Sequence, residues 1–181
     1  MFFPTLATTL TFTAALLPST LAAPAPPQLI LFKRAPGSLI AMAPTSGTCA
    51  GAKFANECKT AAQAAPFINA SFKTYGITSA GEAAAIVSLI AFESGDFKYN
   101  TNHFPGRPGQ GTRNMQMPPF NLEYAKSIPA LKEGLAKAGT DVKAVLALLT
   151  SNGEYDFGSA AWFMKTKCSE KVRMYWDDGD R

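Results

Sequence analysis

Histidine occurs once in this chain, at His103, and cysteine only three times. With one histidine and no Gly-x-Ser-x-Gly, no serine-hydrolase triad can be read. Cys49, Cys58 and Cys168 include no Cys-x-x-Cys pair, and with a single histidine they do not make a metal site. Neither a metal nor another cofactor is therefore expected. Charge is also sparse. The formal net charge of the 181 residues is +4, and it falls to +2 if residues 1–34, which hold two basic residues and no acid, are removed. That is too weak a field to imply a nucleic-acid partner. A mildly basic surface suits an anionic cell wall, and it is equally an ordinary solvated surface. There is no internal repeat and no heptad pattern. Strand-like alternation is missing too, so the class is mainly α. The apolar run Leu6–Leu17 is shorter than the ~20 residues a membrane span needs, and no membrane partner is expected.

What is present divides the chain unevenly. Residues 1–23 carry no charge and end in small residues, "STLAA", as a secretory signal peptide does, though the usual basic start is missing. Residues 24–34, "PAPPQLILFKR", are Pro-rich and end in Lys33-Arg34. They read either as a pro-segment cut after the dibasic pair or as an uncut linker. Residues 35–52 are rich in Gly, Ser and Pro and read as a flexible arm. Residues 53–181 are long enough for one domain with a real core, and a monomer is the expectation. Secretion would permit disulfides. The favoured pair is Cys58–Cys168, tying the first helix to the last, with Cys49–Cys58 as the short-loop alternative. The longer loop would stabilise by ~4 kcal/mol in the chain-entropy model. Asn69-Ala70-Ser71 is a glycosylation sequon, usable only if exposed.

Helix signals dominate from residue 53 onward. Residues 56–74 are Ala-rich, with Phe67, Ile68 and Phe72 at helical spacing and Pro66 as a kink or break. Ser79 and Glu82 form a capping-box pattern. The run that follows, "AAAIVSLIAFES", is apolar nearly all round, which predicts a buried central helix ended by Gly95. Residues 96–117 lack periodicity and hold Gly106, Gly109 and Gly111, so they read as a long loop or a short hairpin. A loop of this length is usually functional or mobile. Helices are predicted over 118–127, 129–138, 141–150 and 157–168. The tail 169–181 is polar except for a few apolar residues.

Glu93 stands in the last turn of the most apolar helix. The partial negative charge of a helix C-terminus disfavours a carboxylate there, and apolar neighbours do so again through desolvation. Both raise its pKa, which is what a general acid needs. Glycoside hydrolysis uses such an acid to protonate the leaving oxygen. The plain alternative is a Glu exposed beside a Ser-Gly helix cap.

Glu93-Ser94, then Gly111, Asn114-Met115-Gln116 and Pro118, then "EYA" at 123–125, resembles the lysozyme-like superfamily. The likeness is to goose-type lysozymes and soluble lytic transglycosylase domains, and "GSAAWFMKTKC" resembles a late helix of that superfamily and of plant-type chitinases. It spans roughly residues 80–130 and 157–168, and it extends to secreted fungal proteins of this size. It implies a lysozyme-like helical domain that cleaves peptidoglycan or chitin-type β-1,4-linked amino sugars. Glu93 would be the general acid, Asn114 and Gln116 would position sugar on the cleft wall, and Tyr124 would supply a cleft hydroxyl. The chain departs from the family where Asn114 replaces the usual Leu or Val and where "HFPGRPGQG" is inserted, so cleft shape and sugar preference differ.

A second carboxylate has several candidates: Asp96, Asp156, Glu123 and Glu154. Transglycosylase-like enzymes use one carboxyl, because the substrate's own hydroxyl attacks. His103 is either a sugar-contacting loop residue or one that bonds backbone. Arg107 and Arg113 would meet a substrate carboxylate or simply be solvated. The contrasting reading is a secreted glycan-binding or effector protein on the same fold, with no catalysis.

Overall fold

The computed structural model describes residues 36–177. The signal-peptide and pro-segment readings, 1–23 and 24–34, lie outside the described residues. The described chain is mainly helical, and its only ladder contacts are the isolated bridges Thr101–Gly111 and Gly111–Gln116. No helix among the described residues is long and apolar enough to cross a membrane.

Helix α1 (Pro36–Met42) and a 3₁₀ turn (Pro44–Gly47) replace the predicted flexible arm. Leu39 and Ala43 are buried in the core, and Ser46 donates from Oγ to the Ala43 carbonyl at 2.6 Å. Gly, Ser and Pro gave a loop signal here, but burial of Leu39 and Ala43 overrides it. Helix α2 (Ala61–Tyr75) begins five residues later than the Ala-rich pattern suggests. Thr60 caps it: its Oγ1 accepts from the Gln63 amide at 3.3 Å, and Gln63 Oε1 accepts from the Thr60 amide at 2.9 Å. Pro66 stays inside the helix without ending it, and Gly76 closes it in the left-handed conformation.

Helix α3 (Ala80–Ser94) has the predicted Ser79 cap, with Oγ accepting from the Glu82 amide at 3.0 Å. Glu82 does not complete the box. Its carboxylate instead accepts from Lys165 Nζ at 2.8 and 3.0 Å, joining α3 to α7. Nor is α3 buried all round. Ile86, Val87 and Ile90 face the core, whereas Phe92 is 84% exposed and Leu89 lies outward with it. That outer face, with Met164 and Val172, lines an open apolar groove of about 690 Å³. A near-continuous apolar run does not reveal which side lacks a neighbour.

Helices α4 (Pro118–Lys126), α5 (Lys132–Ala138, entered through a 3₁₀ turn at Pro129–Leu131) and α6 (Val142–Thr150) form a second packed group. Asp141 caps α6, accepting from the amides of Lys143 and Ala144. Helix α7 (Gly153–Lys167) links the two halves. Phe157, Ala160, Ala161 and Met164 join Ile68, Phe72, Ile86 and Ile90 in one core, while Trp162 joins Tyr124, Val145 and Leu149 in the other. Each such large buried side chain is worth ~1.5–3 kcal/mol against exposure. The small residues Gly158, Ser159, Ala160 and Ala161 let α2 lie close along α7, the most extensive helix pairing in the fold. Helix α8 (Glu170–Asp177), not predicted from the polar tail, packs on α3.

The disulfide is Cys49–Cys58, the short-loop alternative, and Cys168 is a free thiol. The favoured Cys58–Cys168 pairing is thus corrected. Cys58 precedes α2 rather than riding on it, so the link staples the segment before α2 to itself. Asn69 sits mid-helix in α2, half-buried with its Oδ1 out of solvent, so the sequon lacks the exposed loop that the glycosylation reading required.

Candidate functional site

The end of α3 is built by Ser94. Its buried Oγ donates to the Ile90 carbonyl at 2.6 Å and accepts from the Phe97 amide at 3.0 Å. This draws the chain into a tight left-handed turn. Gly95, Asp96 and Phe97 all have positive φ, at 56°, 55° and 69°. Two of the three are not glycine, and such backbone holds only where its surroundings fix it. Here Phe97 is wholly buried, and Asp96 Oδ2 accepts from the amide and the hydroxyl of Thr45, both at 2.8 Å. Asp96 is therefore committed to the 3₁₀ turn. It does not share a helix face with Glu93, because α3 has already ended.

Glu93 is half-buried and makes no hydrogen bond or ion pair with the described residues. Desolvation holds its carboxyl above the usual carboxylate range. It stands in the last turn of α3, where the helix pattern placed it.

The segment 96–117 is ordered by a buried charge rather than by strands. Arg113 is fully buried. Its Nε donates to Asp156 Oδ2 at 2.8 Å, its Nη1 to the carbonyls of Phe97 (2.9 Å) and Tyr99 (3.1 Å), and its Nη2 to the Glu57 carbonyl at 2.6 Å. Its guanidinium also lies 4.7 Å from the Phe157 ring centroid. One side chain thereby ties together the segment before α2, the turn after α3 and helix α7. It neither meets a ligand nor stands solvated.

Asp156 accepts at Oδ2 from Arg113 and from Asn100 Nδ2, while its buried Oδ1 has no partner. Burial pushes its pKa up to about 6, with Arg113 opposing. It lies in the first turn of α7, not in a turn reaching into a cleft. Asp156 and Asp96 are thus both corrected as second-acid candidates. Glu154 is exposed on α7, and Glu123 is ion-paired with Lys167.

Glu57 extends the network. Its Oε2 accepts from the Asn100 amide at 3.0 Å, and its Oε1 meets His103 Nε2 at 2.7 Å. His103 stacks on Phe54, with ring centroids 3.5 Å apart. The histidine anchors the loop through a side-chain carboxylate and a ring rather than by bonding backbone, as its plainer reading had it.

The remaining predicted sugar-contacting residues turn inward. Asn114 Oδ1 accepts from the hydroxyls of Thr112 and Ser159, at 3.0 and 2.7 Å. Gln116 is buried, and its Nε2 donates to Asn121 Oδ1 at 3.2 Å. Tyr124 is not a cleft hydroxyl: it is buried and donates to the Tyr155 carbonyl at 3.0 Å. These groups hold the segment in shape and leave Glu93 as the free acid of the set. Nothing in the sequence marked Arg113 and Glu57 as the centre of a buried network, since residues far apart in the chain supply their partners.

The described residues form a mainly helical domain with a half-buried acid at the end of α3, just before a left-handed turn. No family model matches the chain, and no solved structure matches it. Among curated proteins, it is similar to a bifunctional dioxygenase–epoxy alcohol synthase of Fusarium oxysporum (strain Fo5176), 53% identical over 118 residues. The match takes in 62% of this chain and 9% of that protein. The chain therefore spans a small part of the relative's length, and the activities in the relative's name belong to that protein as a whole.

Proposed function

We propose that this protein is a secreted glycoside-cleaving enzyme acting on β-1,4-linked amino-sugar polymers, peptidoglycan or chitin-type, with Glu93 as general acid. One observation carries the reading. Glu93 is a half-buried carboxyl with a raised pKa and no hydrogen-bond or ion-pair partner among the described residues, set beside three consecutive left-handed residues. A structural glutamate would be expected to hold a cap or an ion pair, as Glu57 and Glu82 do.

Protonated Glu93 gives its proton to the scissile glycosidic oxygen as the bond to the anomeric carbon breaks. Of the second-acid candidates, Asp96, Asp156 and Glu123 are engaged elsewhere. In a route where a hydroxyl of the substrate attacks the anomeric carbon, the deprotonated Glu93 takes that hydroxyl's proton and no second carboxylate is needed, which supports the transglycosylase form of the reaction.

The inward orientation of Asn114, Gln116 and Tyr124 takes away the sugar-positioning groups the cleavage reading called for, and the second reading is a domain on this fold that binds glycan through other residues without cutting it. One experiment separates the two. Purified protein and Glu93→Gln are incubated with peptidoglycan and with chitin oligomers, and the products are weighed by mass spectrometry. Cleavage lost by at least ~100-fold in Glu93→Gln, with the fold intact, supports general-acid catalysis. The wild-type rate should also fall as pH rises through the Glu93 pKa, because only the protonated form donates. Binding without cleavage by either protein establishes the second reading.

A further inference from the structure

Between the segment 101–109 and helix α6 lies a cleft of about 330 Å³, near the lower end of the range for small-ligand sites. Glu93 does not line it, and it belongs to none of the chemistry above. We propose that this cleft binds a small oxyanion carried on a hydroxylated skeleton, a sugar acid or a sugar phosphate, between Arg107 and Lys143.

The charges come first. Arg107 stands on the loop and Lys143 on the second residue of α6, and both line the cleft and are exposed. No acidic side chain lines it. Arg107 Nη1 lies 3.3 Å from Met117 Sδ, a weak acceptor, and the rest of its guanidinium is uncommitted. Lys143 Nζ has no hydrogen bond or ion pair with the described residues. Neither side chain has an ion pair among the described residues, and an anion held between two cations that line one cleft is attracted by both. A neutral ligand is not.

The loop wall is fixed in advance. Asn102 Oδ1 accepts from the amides of Gly106 (3.0 Å) and Arg107 (3.4 Å), while its Nδ2 donates to Gln110 Oε1 at 2.8 Å. Gln110 Nε2 in turn donates to the Met115 carbonyl at 3.0 Å. Close approach locks the loop onto α6, because a Cβ on Gly109 would fall 2.6 Å from Val142 Cβ. A wall set before binding costs little ordering entropy when the ligand arrives. The remaining lining suits a hydroxylated body. Thr101 and Thr150 give hydroxyls, and Thr150 Oγ1, already donating to the Leu146 carbonyl, is left to accept from a ligand hydroxyl. Leu146 and Ala147 add an apolar surface on the helix wall for a ring face.

The test is a titration of the full protein, followed by amide NMR, with glucuronate, glucose 6-phosphate and uncharged glucose. It is repeated on Arg107→Ala, Lys143→Ala and Ala147→Trp, all at exposed positions, with thermal melts to confirm folding. Glu93→Gln is included so that failure of the cleavage reading is scored separately, and its binding should equal wild type. Shifts at Thr101 and Thr150 with one or both anions support the proposal, together with affinity at least about tenfold weaker for glucose and in each variant. Whichever anion binds tighter identifies the headgroup as carboxylate or phosphoryl. Glucose binding as tightly as the anions, anion affinity unchanged in the folded variants, or no shift at these residues at millimolar ligand would overturn it.

Discussion

At the scale of single residues, Arg113 and Glu93 are opposites: one ionic group makes four hydrogen bonds in the core, the other makes none with the described residues. Replacing Arg113 with Met would strand the Asp156 carboxylate in the core and take a donor from three carbonyls, of which Phe97 keeps the Lys59 amide. Breaking a buried pair from one side costs ~3–5 kcal/mol. Urea unfolding should show a loss of that order for Arg113→Met, and a substantial recovery in the double variant Arg113→Met/Asp156→Leu, since neither member of the pair is then left without the other. A double variant as unstable as the single one would mean that the carbonyl contacts, not the charge, carry the stability. Glu93 was legible in the sequence because local signals place it: an apolar helical run, then Ser-Gly. Arg113 was not. Its partners lie 14 to 56 residues away, and a run of Gly, Thr, Arg and Asn gives no sign that the arginine points inward.

At the scale of elements, the segment 96–117 behaves as a fitted part. Gly111 sits where a Cβ would lie 2.5 Å from the Asn100 carbonyl oxygen and 2.7 Å from Leu146 Cδ1. The first contact is with backbone and cannot yield cheaply. Gly111→Ala should therefore destabilise by roughly 1–3 kcal/mol, the usual range for overpacking. Hydrogen exchange should quicken at the amides of Gly111 and Thr112, whose bonds to Gln116 and Asn100 hold the bridges. Unchanged exchange there would mean that the segment is held elsewhere. The glycines in this stretch suggested a mobile loop. Three act differently: Gly111 for close approach, Gly109 for close approach and a positive φ, and Gly106 for a positive φ alone. Helices α4 to α6 and the body of α7 were legible from spacing, Pro118 and Gly139, but α7 starts at Gly153, four residues before the expected start, in a stretch that reads as a turn. α1 and α8 were not legible, because short helices with weak propensity are decided by what they pack against.

At the scale of the whole molecule, the disulfide changes what holds the chain together. Cys49–Cys58 closes a short loop, worth about 3 kcal/mol or slightly less in the chain-entropy model. Within it lie Phe54 and Glu57, which hold His103 and the Asn100 amide. Cys49→Ser should lower thermal stability and loosen His103 as well, seen as a change in its ring NMR signals. Cys168→Ser should leave both nearly unchanged. Equal losses in the two variants would point to a role for the free thiol that the fold does not show. The short link was the less favoured pairing because cysteine spacing alone is compatible with either, and the start of α2 decides between them.

Helix α3 has one further consequence. Both the first helix, α1, and the last, α8, pack against it. The polypeptide therefore arrives at and departs from the folded unit beside a single rod of 15 residues, about 22 Å long. A unit threaded this way can be spliced into a longer chain like a bead on a string, without forcing the flanking stretches far apart.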